Sequence, residues 1–244
     1  MSSMSWQKAW LTAAYNRSLP HPFFNHLDSM NYCELIDQER LARTFVQLCE
    51  TDSPSKKEAR MAALVTELLC AQGAPLPFED ESAAQTGSDC GNLLFCFPSA
   101  AGAEPLFFNC HLDTVEPSTG VKVVRQGDRF SSSCDTILGS DDKAGIAALL
   151  EAWQIIHENK LPHAPLELLF TTCEEIGLLG AKAFDPNGLR ARMGYALDSS
   201  GFGRVIISAP ACKRLRISIK GKAAHAGLHP EHGINAIMSA AHAL

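Results

Sequence analysis

Apolar positions along the chain follow two periods that take turns. Leu35, Leu41, Phe45 and Leu48 can share one helical face, and Met61, Val65, Leu68 and Leu69 mark a second helical stripe that ends near Gly73. Just ahead of that stripe, Ser55-Lys56-Lys57-Glu58 has the spacing of a capping box, where a hydroxyl and a carboxylate satisfy the free N–H groups at a helix start. The mainly apolar segments 92–97 and 106–110 read as short buried strands, and 121–124 with a turn at Gly127-Asp128 predicts a hairpin. Helical spacing returns over 143–157 through Ile146, Leu149, Leu150, Trp153 and Ile156. A strand over 166–172, a helix over 176–184 and a strand over 195–197 complete the series. Farther on, Leu215, Ile217 and Ile219 alternate as a strand does, and 234–244 reads as a helix. Helices alternating with apolar strands predict an α/β fold: a mostly parallel mixed sheet with helices on both faces, then the start of a smaller α+β domain.

Composition narrows the function. With 244 residues, 46% of them hydrophobic, the chain can bury a substantial core. A net charge of -6 and no Lys/Arg-rich block exclude nucleic acid as a partner. Nine cysteines, odd in number and never paired as CxxC, argue against a disulfide framework and a thiolate zinc knuckle; reduced thiols in a cytoplasm fit them best. The start of the chain lacks a signal-peptide core, and no stretch approaches the ~18 apolar residues of a membrane span. Residues 1–33, with Pro20-His21-Pro22 and little periodicity, read as a loosely packed extension.

The chemistry sits at the ends of the apolar runs. His111 and Asp113 follow one run, Asp141 another, Glu174 and Glu175 a third, and Asp198 a fourth. An open α/β sheet binds ligands outside the carboxyl ends of its strands, so four such ends together point to a metal-dependent hydrolase. In His111-Leu112-Asp113 the strand period turns both polar side chains the same way, which suits a ligand and the carboxylate that orients it. A surface turn is the plainer reading of that tripeptide. Asp141-Asp142 stands before a helix, where one carboxylate can cap and two repel unless a cation holds them. Glu174-Glu175 ends a buried strand, and adjacent acids there need positive charge nearby, although they also fit a first helical turn. Asp198, before Ser199-Ser200-Gly201, is by itself a turn residue.

Five ordered segments now carry a resemblance. HLDTVEP (111–117), LGSDDKAGIAALLEA (138–152), TTCEEIGLLGAKAFD (171–185), LDSSGFGRVIISAP (197–210) and GKAAHAGLHPEHGINAI (221–237) resemble the peptidase T-like branch of the co-catalytic zinc exopeptidases and deacylases. That superfamily includes carboxypeptidase G, acetylornithine deacetylase and succinyl-diaminopimelate desuccinylase. The resemblance implies a catalytic domain over 34–207, a partial lid and dimerisation domain over 208–244, and a metalloexopeptidase acting on short peptides. It implies two divalent ions per site, zinc by the chemistry of the donors, with cobalt or manganese as substitutes. Under it His111 and Asp198 bind one ion, Glu175 binds the other, and Asp141 bridges them. Asp113 orients His111, Glu174 is the general base, and His225 contacts the substrate from the lid, in relatives often across a homodimer. Relatives return from the lid to the catalytic domain and supply a last histidine ligand; this sequence ends at Leu244, so a complete second metal site is not expected from it alone. A deacylase of N-acyl amino acids and a catalytically incompetent truncated product are the competing expectations.

Overall fold

In a computed structural model, described at residues 32–99, 102–133, 135–199, 203–209 and 215–243, the chain divides into two units. One contains everything described up to Ser199; the other begins at Gly203. Most of the expected extension, residues 1–31, lies outside the described residues.

The first unit is built on a five-stranded sheet in the order β1 (Phe78–Glu79), β2 (Leu93–Phe97), β6 (Leu166–Thr171), β3 (Leu106–His111), β7 (Met193–Ala196). β3 pairs parallel with both β6 and β7, and β2 pairs antiparallel with β6 and β1, so β2 alone runs against the other strands. One face carries Phe95, Phe97, Leu168, Phe170 and Cys110, which pack on α1 (Gln38–Cys49), α2 (Ala59–Ala71) and α4 (Ser140–Glu158) through Leu48, Met61, Val65, Leu69, Ile146, Leu150 and Trp153. The opposite face packs Leu94 and Leu169 against Phe184, after the short α5 (Leu179–Ala183). A hairpin of β4 (Val123–Gln126) and β5 (Arg129–Ser132) turns at Gly127, whose φ of 62° suits glycine. The short α3 (Ala83–Thr86) and β1 carry too few residues to show a period and escape a sequence reading.

Polar ties fix the helices. Arg40 on α1 grips the buried Glu151 of α4 through Nε at 2.7 Å and Nη2 at 2.8 Å, a planar fork on a carboxylate. Trp153 Nε1 donates to the Gln72 carbonyl at the end of α2.

Several boundaries differ from expectation for local reasons. Leu35 lies in a 3-10 turn (Tyr32–Leu35), because Asp37 caps α1 by accepting from Arg40 N at 2.9 Å. Ser55 and Glu58 form no capping box. Ser55 Oγ donates to Asp113 at 2.6 Å, and Ala59 N at the start of α2 finds Asp89 Oδ1 instead. The helix expected over 176–184 begins only at Leu179, since Gly177 (φ 116°) and Leu178 (φ 57°) leave the right-handed region. In the second unit no strand forms among described residues 215–219, only an isolated bridge Lys222↔Ile234, and the expected helix is α6 (Ala236–Ala243).

Candidate metal centre

Strand register brings the candidate residues together. His111 ends β3 opposite Thr171 of β6, so Asp113 and Cys173 leave the sheet side by side. β7 pairs Asn109 with Ala196, and Leu197 N continues the ladder to the Asn109 carbonyl, so Asp198 comes abreast of His111. α4 packs on β3 at Gly145, where a Cβ would run into Cys110 Sγ at 2.9 Å, and that close approach seats Asp141 over the strand end. His111 Nε2 lies 3.2 Å from Asp141 Oδ1, and its Nδ1 lies 3.4 Å from Asp113 Oδ1. Two donor groups result: His111 with Asp141 and Asp198, and His111 with Glu174 and Glu175, each with its ligand atoms within 4.8 Å of one another. Glu175 and Asp141 also line a depression of about 180 Å³ with Thr114, Ile137 and Gly139.

Asp113 is fully buried and binds the loop that carries the glutamates. Its Oδ1 accepts Glu174 N at 2.8 Å, and its Oδ2 accepts Glu175 N at 3.1 Å beside the Ser55 hydroxyl. Glu58, also fully buried, holds the residue before: Cys173 N donates to Oε1 at 3.0 Å, and Ser88 Oγ and Lys56 N donate to the same carboxylate. Cys173 has φ 53°, a left-handed conformation that Glu58 secures. Asn92 adds a third clamp, accepting Thr172 N at 3.0 Å and donating to the Gly180 carbonyl. Sequence reasoning missed the roles of Ser55, Glu58 and Asn92. The box-like Ser55/Glu58 spacing was a signal, but a helix start gives the same one.

The electrostatics are those of crowded acids. Burial pushes the Asp142 carboxyl up to about 7, and burial likewise raises Glu174, Glu175 and Asp198, each further raised by neighbouring carboxylates. Burial would lower His111, but Asp113 and the surrounding acids outweigh it and raise the imidazole to about 10. Asp113 resists its own burial and falls below its ordinary value through His111, Ser55 and the Glu174 N–H. Asp142 Oδ2 is buried without a hydrogen-bond partner among the described residues. One imidazole among this many carboxylates is a donor set that fits divalent cations, with His111 Nε2 facing Asp141 and Nδ1 facing Asp113. His225 belongs to the second unit, where it is exposed and its Nδ1 accepts Gly227 N.

A family model described as peptidase family M28 matches residues 92–227, more than half of the 244 residues, and spans His111, Asp113, Asp141, Glu174, Glu175 and Asp198. The chain belongs to peptidase family M28. This M28 chain is 38% identical over 211 residues to the uncharacterized protein YqjE of Bacillus subtilis, covering 86% of itself and 57% of that relative. It is similar in structure to the aminopeptidase PepT of Bacillus cereus (TM-score 0.67, 37% identity, 85% of this chain and 56% of that one). It is also similar to a tripeptidase from Staphylococcus aureus (TM-score 0.71, 32% identity, 86% of this chain and 56% of that one). The M28 chain thus spans about half the length of the relatives it matches.

Proposed function

We propose that this chain carries the catalytic centre of a metal-dependent exopeptidase that releases an amino-terminal residue from short peptides. The observation that carries the reading is the convergence of His111, Asp141 and Asp198 on one point and of Glu175 beside Asp141, at the carboxyl ends of parallel strands. In this reading His111 and Asp198 would hold one ion, Glu175 would hold the other, and Asp141 would serve both. Bound there, two divalent ions supply an acidified water and a polarised carbonyl.

The chain's own residues do the rest. Glu174, half-buried and raised by that burial, takes the water proton and passes it to the departing amine, a task that wants a carboxylate pKa nearer neutrality. Asp113 fixes the His111 ring through Nδ1 and holds the Glu174–Glu175 backbone through its two oxygens. His225 would take part in substrate binding. Zinc is the ion that imidazole and carboxylate donors select most readily, with cobalt and manganese able to replace it. The same reading includes a catalytic domain over 34–207, a homodimer through 208–244, and a cytoplasmic setting that keeps scattered thiols reduced.

Turnover on a tripeptide panel, read beside bound-metal content, tests the assignment in the full-length protein. Glu174→Gln keeps the ions and loses about 10²- to 10⁴-fold in kcat, whereas His111→Ala loses metal. Near-wild-type kcat in a fully loaded Glu174→Gln protein contradicts the base. Cleavage of N-acyl amino acids in preference to tripeptides contradicts the substrate class.

A further inference from the structure

The second unit carries donors that the proposed reaction does not use. In His229-Pro230-Glu231-His232 the segment Pro230–His232 is a 3-10 turn with proline at its first position, closed by His232 N to the His229 carbonyl at 3.2 Å and Gly233 N to the Pro230 carbonyl at 3.1 Å. Residues three apart eclipse in such a turn, and the two imidazoles accordingly stack, their centroids 5.0 Å apart and their planes 13° from parallel. Glu231 Oε1 reaches both rings, 3.2 Å from His229 Nδ1 and 3.7 Å from His232 Nε2. Donors around a tetrahedral zinc, with bonds of ~2.0–2.1 Å, sit about 3.3 Å from one another. The two Glu231–imidazole spacings are close to that value, and one ligand atom from each of the three residues lies within 4.8 Å of the others. An exposed ion pair needs only one imidazole, not two on one oxygen.

We propose that His229, Glu231 and His232 form a separate mononuclear site for a divalent first-row transition cation, with its remaining positions open to water. Two imidazoles and one carboxylate suit zinc, nickel or copper over magnesium or calcium. All three side chains are exposed, so an ion reaches them without any opening of the fold. Its occupancy also stiffens the turn behind His225, whose carbonyl accepts His229 N at 3.0 Å and Leu228 N at 3.3 Å.

Zinc titration of the full chain by equilibrium dialysis and calorimetry tests this site independently of the His111 centre. H229A/H232A should remove about one equivalent of bound zinc and leave the His111-dependent ions in place, while His111→Ala should do the reverse. Glu231→Gln should weaken the same site by about ten-fold and leave the circular dichroism spectrum of the protein unchanged. Zinc binding that is identical in wild type and H229A/H232A overturns the proposal. Zinc binding that is unchanged by His111→Ala but lost in H229A/H232A contradicts the peptidase reading and leaves this site standing.

Discussion

Asp113 uses both carboxylate oxygens inside the protein, orienting His111 and fixing two backbone N–H groups of the glutamate loop at once. Glu58 does the same one residue earlier, and removing it strands the Cys173 N–H in a buried site. Glu58→Ala is expected to cost on the order of 3 kcal/mol in urea unfolding, and Glu58→Gln less, because charged acceptors with several donors are expensive to lose. An unchanged unfolding midpoint for Glu58→Ala contradicts that role. The titrating groups give a second expectation for protein held in chelator. His111 is raised to about 10 against an ordinary value near 6.5, so its contribution is complete below the ordinary value and is lost as pH rises through the raised one. Asp142, raised to about 7, together with Glu174, Glu175 and Asp198, disfavours the folded state once ionised, which also lowers stability with rising pH. Asp113, lowered, acts the other way only in strong acid. Ion-free protein should thus unfold at lower urea at about pH 9 than at about pH 5, and added zinc should reverse the order. A midpoint that rises with pH in chelator contradicts the charge account.

At the scale of elements, the long periods were legible and the short ones were not. Trp153, Ile146 and Leu150 mark α4 because its long helical stretch after Asp142 gives the period room to show, and the apolar runs that became β2, β3 and β6 stand out because both sheet faces are covered. The candidate residues His111, Asp141, Glu175 and Asp198 drew notice because each follows a short apolar run. What could not be read was who holds them. Ser55 and Glu58 look like a helix cap in one dimension, and only the fold brings Asp113 and Cys173 within reach to claim them. The late start of α5 depends on left-handed Leu178, a conformation that no side-chain pattern announces. Gly180, at the start of α5, has its own constraint: a Cβ there would overlap the Thr172 backbone and the Asn92 side chain. Gly180→Ala should therefore shift the 172–180 segment and cost about 1–3 kcal/mol, read by thermal unfolding, together with weaker metal binding. Full metal affinity in a destabilised Gly180→Ala protein separates the two and contradicts the link between this segment and the site.

For the whole molecule, the first unit holds the core and the described residues of the second hold none of it. Val205, Ile206, Ile207, Leu215, Ile217, Ile237 and Met238 are all exposed, and no described residue from Gly203 onward is buried. Amide exchange in 215–243 should be correspondingly fast while β3 and β6 exchange only with global unfolding, because protection follows buried contacts. No helix among the described residues is long and apolar enough to cross a membrane. The account as a whole depends on cations at the ends of β3, β6 and β7. Anomalous diffraction at the zinc edge from crystals of the protein grown with zinc locates such ions directly. The predicted result is a peak at about 2.0–2.2 Å from His111 Nε2, shared with Asp141 and Asp198, and a second between Asp141 and Glu175. Density with no anomalous peak within bonding distance of His111 Nε2 would contradict it.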